Sequence, residues 1–105
     1  MERQQYLYKL QLTEKLTQDK NWTDKENAVV GRHFSYLQRM HEDRKLILAG
    51  KTKGLDEDTF GIVIFEAETE EEALSLMNGD PAVKEGIMTA ELFPYQVAFV
   101  QDLRK

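Results

Sequence analysis

The stretch LILAGKTKGLDEDTFGIVIFE, Leu46 to Glu66, places two apolar runs, Leu46–Lys51 and Phe60–Glu66, on either side of a segment rich in glycine and acidic residues. Such a segment between two strand-like runs reads as the turn of a β-hairpin. Working outward, Thr23 with Glu26 three places on fits a capping box, so a helix starts there. Val30, Phe34, Leu37 and Met40 recur at helical steps, and Arg39, Arg44 and Lys45 collect where cations suit a helix C-terminus, so the helix ends near Arg44. Upstream of it, Tyr6 to Leu12 alternates, with Tyr6, Tyr8, Leu10 and Leu12 on one side and Leu7, Lys9 and Gln11 on the other, as in a strand. Downstream of the hairpin, Thr69 and Glu72 repeat the capping spacing, Ala73, Leu74 and Met77 form a buried stripe, and Gly79 stands where a left-handed helix terminus is favoured. Asp80 and Pro81 then read as the cap and first position of a short turn over PAVKEG. Strands follow over Ile87–Phe93 and Gln96–Val100.

The order is β-α-β-β-α-β with a C-terminal extension, which defines an α+β, ferredoxin-like arrangement: an antiparallel sheet with both helices on one face. No repeat or linker divides the chain, so residues 1–105 are expected to form one domain. The second face of the sheet has no helix to cover it. Yet Ile62 to Phe65 and Leu46 to Ala49 are apolar on both sides of their strands. A homodimer packing sheet face on sheet face would cover that surface with a single sequence, since buried apolar area contributes about 25 cal/mol per Å². Return of the C-terminal segment over the face is the alternative.

The chain has no cysteine, which removes thiol nucleophiles, thiolate metal sites and disulfides. Acidic residues outnumber basic ones, 19 to 14, for a net charge of −5, and a polyanion such as nucleic acid is not expected as a partner. The start, MERQQYLYKLQL, lacks a signal-peptide core, and the longest aliphatic or aromatic runs, Ile62–Phe65 among them, have four residues. A cytoplasmic protein without membrane contact is the expectation.

His33 falls at the edge of the first helix's apolar stripe, where a desolvated imidazole with a carboxylate on one nitrogen exchanges protons near neutral pH. The competing reading is a histidine packed on the sheet and satisfied by a backbone carbonyl. His41 stands among charges, roughly 12 Å further along the helix at about 1.5 Å per residue, so the two cannot share a metal. Neither metal nor cofactor is expected. Asp80 reads first as an N-cap, although its second oxygen is free to orient an imidazole. Ser35 and Ser75 lack a neighbouring base. Lys51 and Lys53 read as a solvated turn able to attract a small anion, and Tyr36, Trp22 and Phe60 as core or pocket-lining aromatics.

His33 to Gly50, HFSYLQRMHEDRKLILAG, together with DPAVKEG from Asp80 to Gly86, resembles the YciI-like (YCII-related) family of small ferredoxin-like proteins. The resemblance implies a dimeric α+β barrel built from packed sheets, a pocket near the first helix, and a histidine–aspartate pair that corresponds here to His33 and Asp80. Members with assigned chemistry resemble lyases or dehalogenating enzymes acting on oxidised aromatic breakdown products. In two respects the chain departs from the pattern: Lys51 stands where a proline commonly follows the Ala49-Gly50 pair, and the loop Lys51 to Thr59 is unusually charged. The expectation is an enzyme, lyase- or isomerase-like, in which His33 moves a proton on a small anionic carbonyl or enol compound. Asp80 would hold the ring, and Tyr36, Lys51 and Lys53 would bind the substrate. The alternative is a non-catalytic metabolite-binding or accessory dimer module using the same cleft.

Overall fold

The computed structural model describes residues 3–54 and 56–101. Its elements are β1 (Gln4–Leu12), two 3₁₀ turns (Glu14–Thr17 and Asp19–Asn21), α1 (Asp24–Glu42), β2 (Leu46–Lys51), β3 (Gly61–Ala67), α2 (Glu70–Gly79), α3 (Pro81–Lys84) and β4 (Met88–Tyr95). The four strands form one antiparallel sheet in the order β2-β3-β1-β4, so the hairpin inferred from the Leu46–Glu66 stretch pairs at one edge. This is the α+β ferredoxin-like topology.

Pairing sorts the side chains by face. Tyr8 lies opposite Val63 and Leu92, and Leu10 lies opposite Gly61 and Ala90, on the face that packs against Leu37 and Met40 of α1 and Ala73 and Met77 of α2. Leu7, opposite Ile64 and Phe93, belongs to the other face. In β2 the register shifts between Leu46 and Leu48, which lets Leu46 join the core while Leu48 pairs with Ile64. The apolar character of β2 and β3 on both sides thus has two destinations, the helical core and an open sheet face.

The first capping signal forms in full and the second in half, the Glu72 carboxylate accepting from the Glu68 amide and not from that of Thr69. Thr23 and Glu26 make a reciprocal capping box at the start of α1, and the Thr69 hydroxyl accepts from the Glu72 amide at 3.0 Å. Five local readings change. Leu74, expected in the buried stripe of α2, is 45% exposed, because Ala73 and Met77, one turn apart, set the inward face and Leu74 falls beside it. The buried stripe of α1 is Val29, His33, Leu37 and Met40, while Phe34 is 62% exposed, because the helix is turned so that the imidazole occupies an inward position. Gly79 is not left-handed; positive φ occurs at Gly54, Gly86 and Arg44. Gly79 is required for a different reason, since a Cβ there would stand 2.9 Å from the Tyr36 hydroxyl. The polar stretch after β1 holds two 3₁₀ turns that bury Leu16. Gln96–Val100 is irregular and not a strand, since none of its residues enters the ladder of the sheet. It is held instead where the Val97 amide donates to Gln5 Oε1 at 2.7 Å, and it leaves Phe99 97% exposed.

Candidate active site

Asp80 occupies a junction. Its amide donates to the Met77 carbonyl at 3.2 Å and closes α2, and its Oδ1 accepts from the Ala82 amide at 3.0 Å and opens α3 with Pro81 in the first turn. The N-cap reading of Asp80 is thus a structural fact, and it leaves capacity on both oxygens. His33 Nδ1 lies 2.7 Å from Oδ1, and the Tyr8 hydroxyl donates to Oδ2 at 2.8 Å. The carboxyl is wholly buried, so a charge there requires such partners. The Ala82 amide on Oδ1 and the Tyr8 hydroxyl on Oδ2 use both oxygens as acceptors, which is the arrangement of a carboxylate. An ionised oxygen carries no hydrogen, so Nδ1 supplies one to Asp80, and in the neutral ring Nε2 keeps its lone pair.

By its spacing Tyr8 is a strand residue and nothing more. One signal did point further: a tyrosine in the middle of a central strand buries its hydroxyl, which then needs an acceptor. Burial first, then the charge of Asp80 and the hydrogen bond to it, hold the Tyr8 hydroxyl far above the usual phenol range. Tyr36 is raised as well, by burial and then by the same charge.

His33 forms part of the wall of a cavity of about 530 Å³ between α1 and the β2–β3 edge of the sheet. The wall is mainly apolar, with Leu10, Leu12, Trp22, Val30 and Met88 among the residues that line it together with His33. The Trp22 indole N–H donates to the Leu16 carbonyl at 2.8 Å, so its polar end is satisfied within the chain. Nε2 of His33 has no hydrogen-bond partner among the described residues and is not sealed from solvent. An unused lone pair at the edge of an apolar cavity is a group that can accept a proton or a hydrogen bond from a bound molecule.

The other expected site residues are distributed differently. Lys51 lines the cavity, but its Nζ donates to the Thr52 and Gly54 carbonyls at 2.9 and 3.2 Å. Lys53 is exposed in the hairpin loop and is not part of the cavity wall. Tyr36 is directed to α2, where its hydroxyl donates to the Leu76 carbonyl at 2.8 Å, and it too is absent from the wall. His41 is exposed, and among the described residues no group of three or more His, Asp or Glu side chains is placed to hold a metal ion.

Fold and site define an α+β ferredoxin-like protein with a buried histidine–aspartate–tyrosine cluster beside an apolar cavity. The YCII-related domain matches residues 8–95, and the chain belongs to that family. Among solved structures it is similar to 5-chloro-2-hydroxyhydroquinone dehydrochlorinase from Burkholderia phenoliruptrix AC1100, in complex with 2,5-dihydroxybenzoquinone. The two are 20% identical, with a TM-score of 0.67, over 90% of this chain and 95% of that one. An uncharacterized protein from Thermotoga maritima is similar at 8% identity and a TM-score of 0.54, over 90% of this chain and all of the other. No match to this chain is found among curated proteins.

Proposed function

We propose that this protein is a small-molecule enzyme in which His33 is the general acid–base group and Asp80 holds its ring. The observation that carries the reading is a cavity-lining histidine whose Nε2 is unengaged among the described residues while its Nδ1 is anchored 2.7 Å from a buried carboxylate. With a carbonyl or enol compound in the cavity, Nε2 would take a proton from a hydroxyl or from a carbon beside the carbonyl. The electron pair left behind then either expels a leaving group from the neighbouring carbon or accepts the proton back at another carbon. These are the outcomes of a lyase and of an isomerase. Lys51 stands at the wall as the cation for an anionic substrate, once a ligand draws its Nζ from the loop carbonyls. The similar dehydrochlorinase, which shares the fold, holds a dihydroxybenzoquinone in its structure, and this makes its substrate a rational first probe.

The test compares wild type with His33→Ala, using 5-chloro-2-hydroxyhydroquinone as substrate and 2,5-dihydroxybenzoquinone as ligand. General acid–base help is worth about 10²- to 10⁴-fold, so turnover is expected to fall by that range while the quinone still binds. Equal turnover by both proteins would sink the assignment. Binding without any turnover by wild type would favour the metabolite-binding module instead.

A further inference from the structure

We propose that Tyr8 is a positioning residue which, through Asp80, decides which nitrogen of His33 carries the hydrogen and so keeps Nε2 bare toward the cavity. The use of that lone pair on a substrate rests on the acid–base reading above; the placement of the hydrogen does not.

The two oxygens of Asp80 are served unequally. Oδ1 receives both the Ala82 amide at 3.0 Å and His33 Nδ1 at 2.7 Å, whereas the Tyr8 hydroxyl at 2.8 Å is the one partner of Oδ2 among the described residues. Neither Tyr8 nor Asp80 has any exposed surface, so water cannot take the hydroxyl's place without repacking. Among the described residues no second donor reaches Oδ2. Tyr8 packs edge-on to Phe65 with ring centroids 5.6 Å apart, and Val63 of β3, Met77 of α2 and Leu92 of β4 complete an apolar enclosure. The titratable groups that reach Asp80 are Tyr8, His33 and Tyr36, and the Tyr36 hydroxyl is committed to the Leu76 carbonyl.

Removing the hydroxyl leaves a fully buried carboxylate oxygen without a donor, which is among the costliest arrangements in a protein interior. Uptake of one proton from water relieves it. Placed on Oδ1, that proton points at His33 Nδ1, which must then accept it, and the hydrogen of the ring moves to Nε2. The site gains one proton in total, and the atom facing the cavity changes from acceptor to donor. Tyr8 thus acts on the imidazole without touching it, by making the ionised carboxylate the cheaper state.

The experiment is ¹⁵N NMR of the histidine ring nitrogens, which separates protonated from bare nitrogens, on wild type and Tyr8→Phe in mildly alkaline buffer, where a free imidazole is neutral. Wild type should show Nδ1 protonated and Nε2 bare, and folded Tyr8→Phe should lose the bare-Nε2 signal. A folded Tyr8→Phe that keeps a bare Nε2 overturns the proposal, as does a wild-type ring protonated on Nε2. Should the variant not fold, the wild-type hydroxyl proton decides: protection from exchange supports the proposal, and exchange at the rate of a surface hydroxyl overturns it. A failed His33→Ala test would end the acid–base reading and leave this result standing.

Discussion

Tyr8 joins the geometry of the His33–Asp80 cluster and the stability of the fold in one hydroxyl. Because its folded-state value lies above the ordinary phenol value of about 10, the neutral form is favoured in the folded chain, and its contribution is complete below that pH. Above it, the unfolded chain releases the proton while the folded one retains it, so stability falls as pH rises. Urea unfolding of wild type should therefore lose more free energy between about pH 9 and about pH 11 than Tyr8→Phe does, and equal losses would show that the hydroxyl titrates as freely in the fold as outside it. His33 carries the complementary lesson. An imidazole only 7% exposed occupies a stripe built otherwise of Val29, Leu37 and Met40, and the carboxylate of Asp80 is what makes that position tolerable.

Among the elements, the contact of α1 with α2 depends on a missing methyl group. The Tyr36 hydroxyl of α1 reaches the Leu76 carbonyl at 2.8 Å by passing over Gly79, where a Cβ would come within 2.9 Å of it. Alanine normally favours a helix over glycine by about 1 kcal/mol, so a destabilised Gly79→Ala would reverse the usual sign. Urea unfolding should show Gly79→Ala less stable by about 1–3 kcal/mol, the range for an overpacked contact, and Gly79→Ala in a Tyr36→Phe background near neutral. Additive effects in that cycle would mean that the hydroxyl and the glycine are not coupled. The same junction places Asp80, so disturbing it moves the carboxylate as well as the helix.

At the level of the whole molecule, the open face of the sheet carries an apolar row across all four strands: Leu48, Ile64, Leu7 and Phe93 lie side by side in register. Leu48 and Phe93 are 41% and 39% exposed there, with Tyr95 at 44% nearby. The C-terminal segment through Gln101 does not supply a covering strand. We propose that a second copy does, through an isologous pairing of these faces. Light scattering should give twice the chain mass of 12.2 kDa at micromolar concentration, and Phe93→Glu should return it to the monomer. A wild-type monomer would remove the homodimer.

Much of this architecture is local in origin and therefore legible in the chain. The alternation of Tyr6 to Leu12, the N-caps at Thr23 and Thr69, and the glycine-rich acidic turn of the Leu46–Glu66 hairpin each act within a few residues, and together they impose the β-α-β-β-α-β order. Asp80-Pro81 announced a cap by the same local rule. What no local rule contains is the rotation of α1 that turned His33 inward and Phe34 out, the Tyr36–Gly79 contact, or the meeting of Tyr8, His33 and Asp80 from β1, α1 and the α2–α3 junction. Periodicity identifies a helix face only to within about a residue, and 47 and 72 residues separate Asp80 from His33 and from Tyr8. The need of a buried carboxylate for donors is satisfied by whatever the packed chain brings near, so the cluster exists only once the sheet and helices have closed around it.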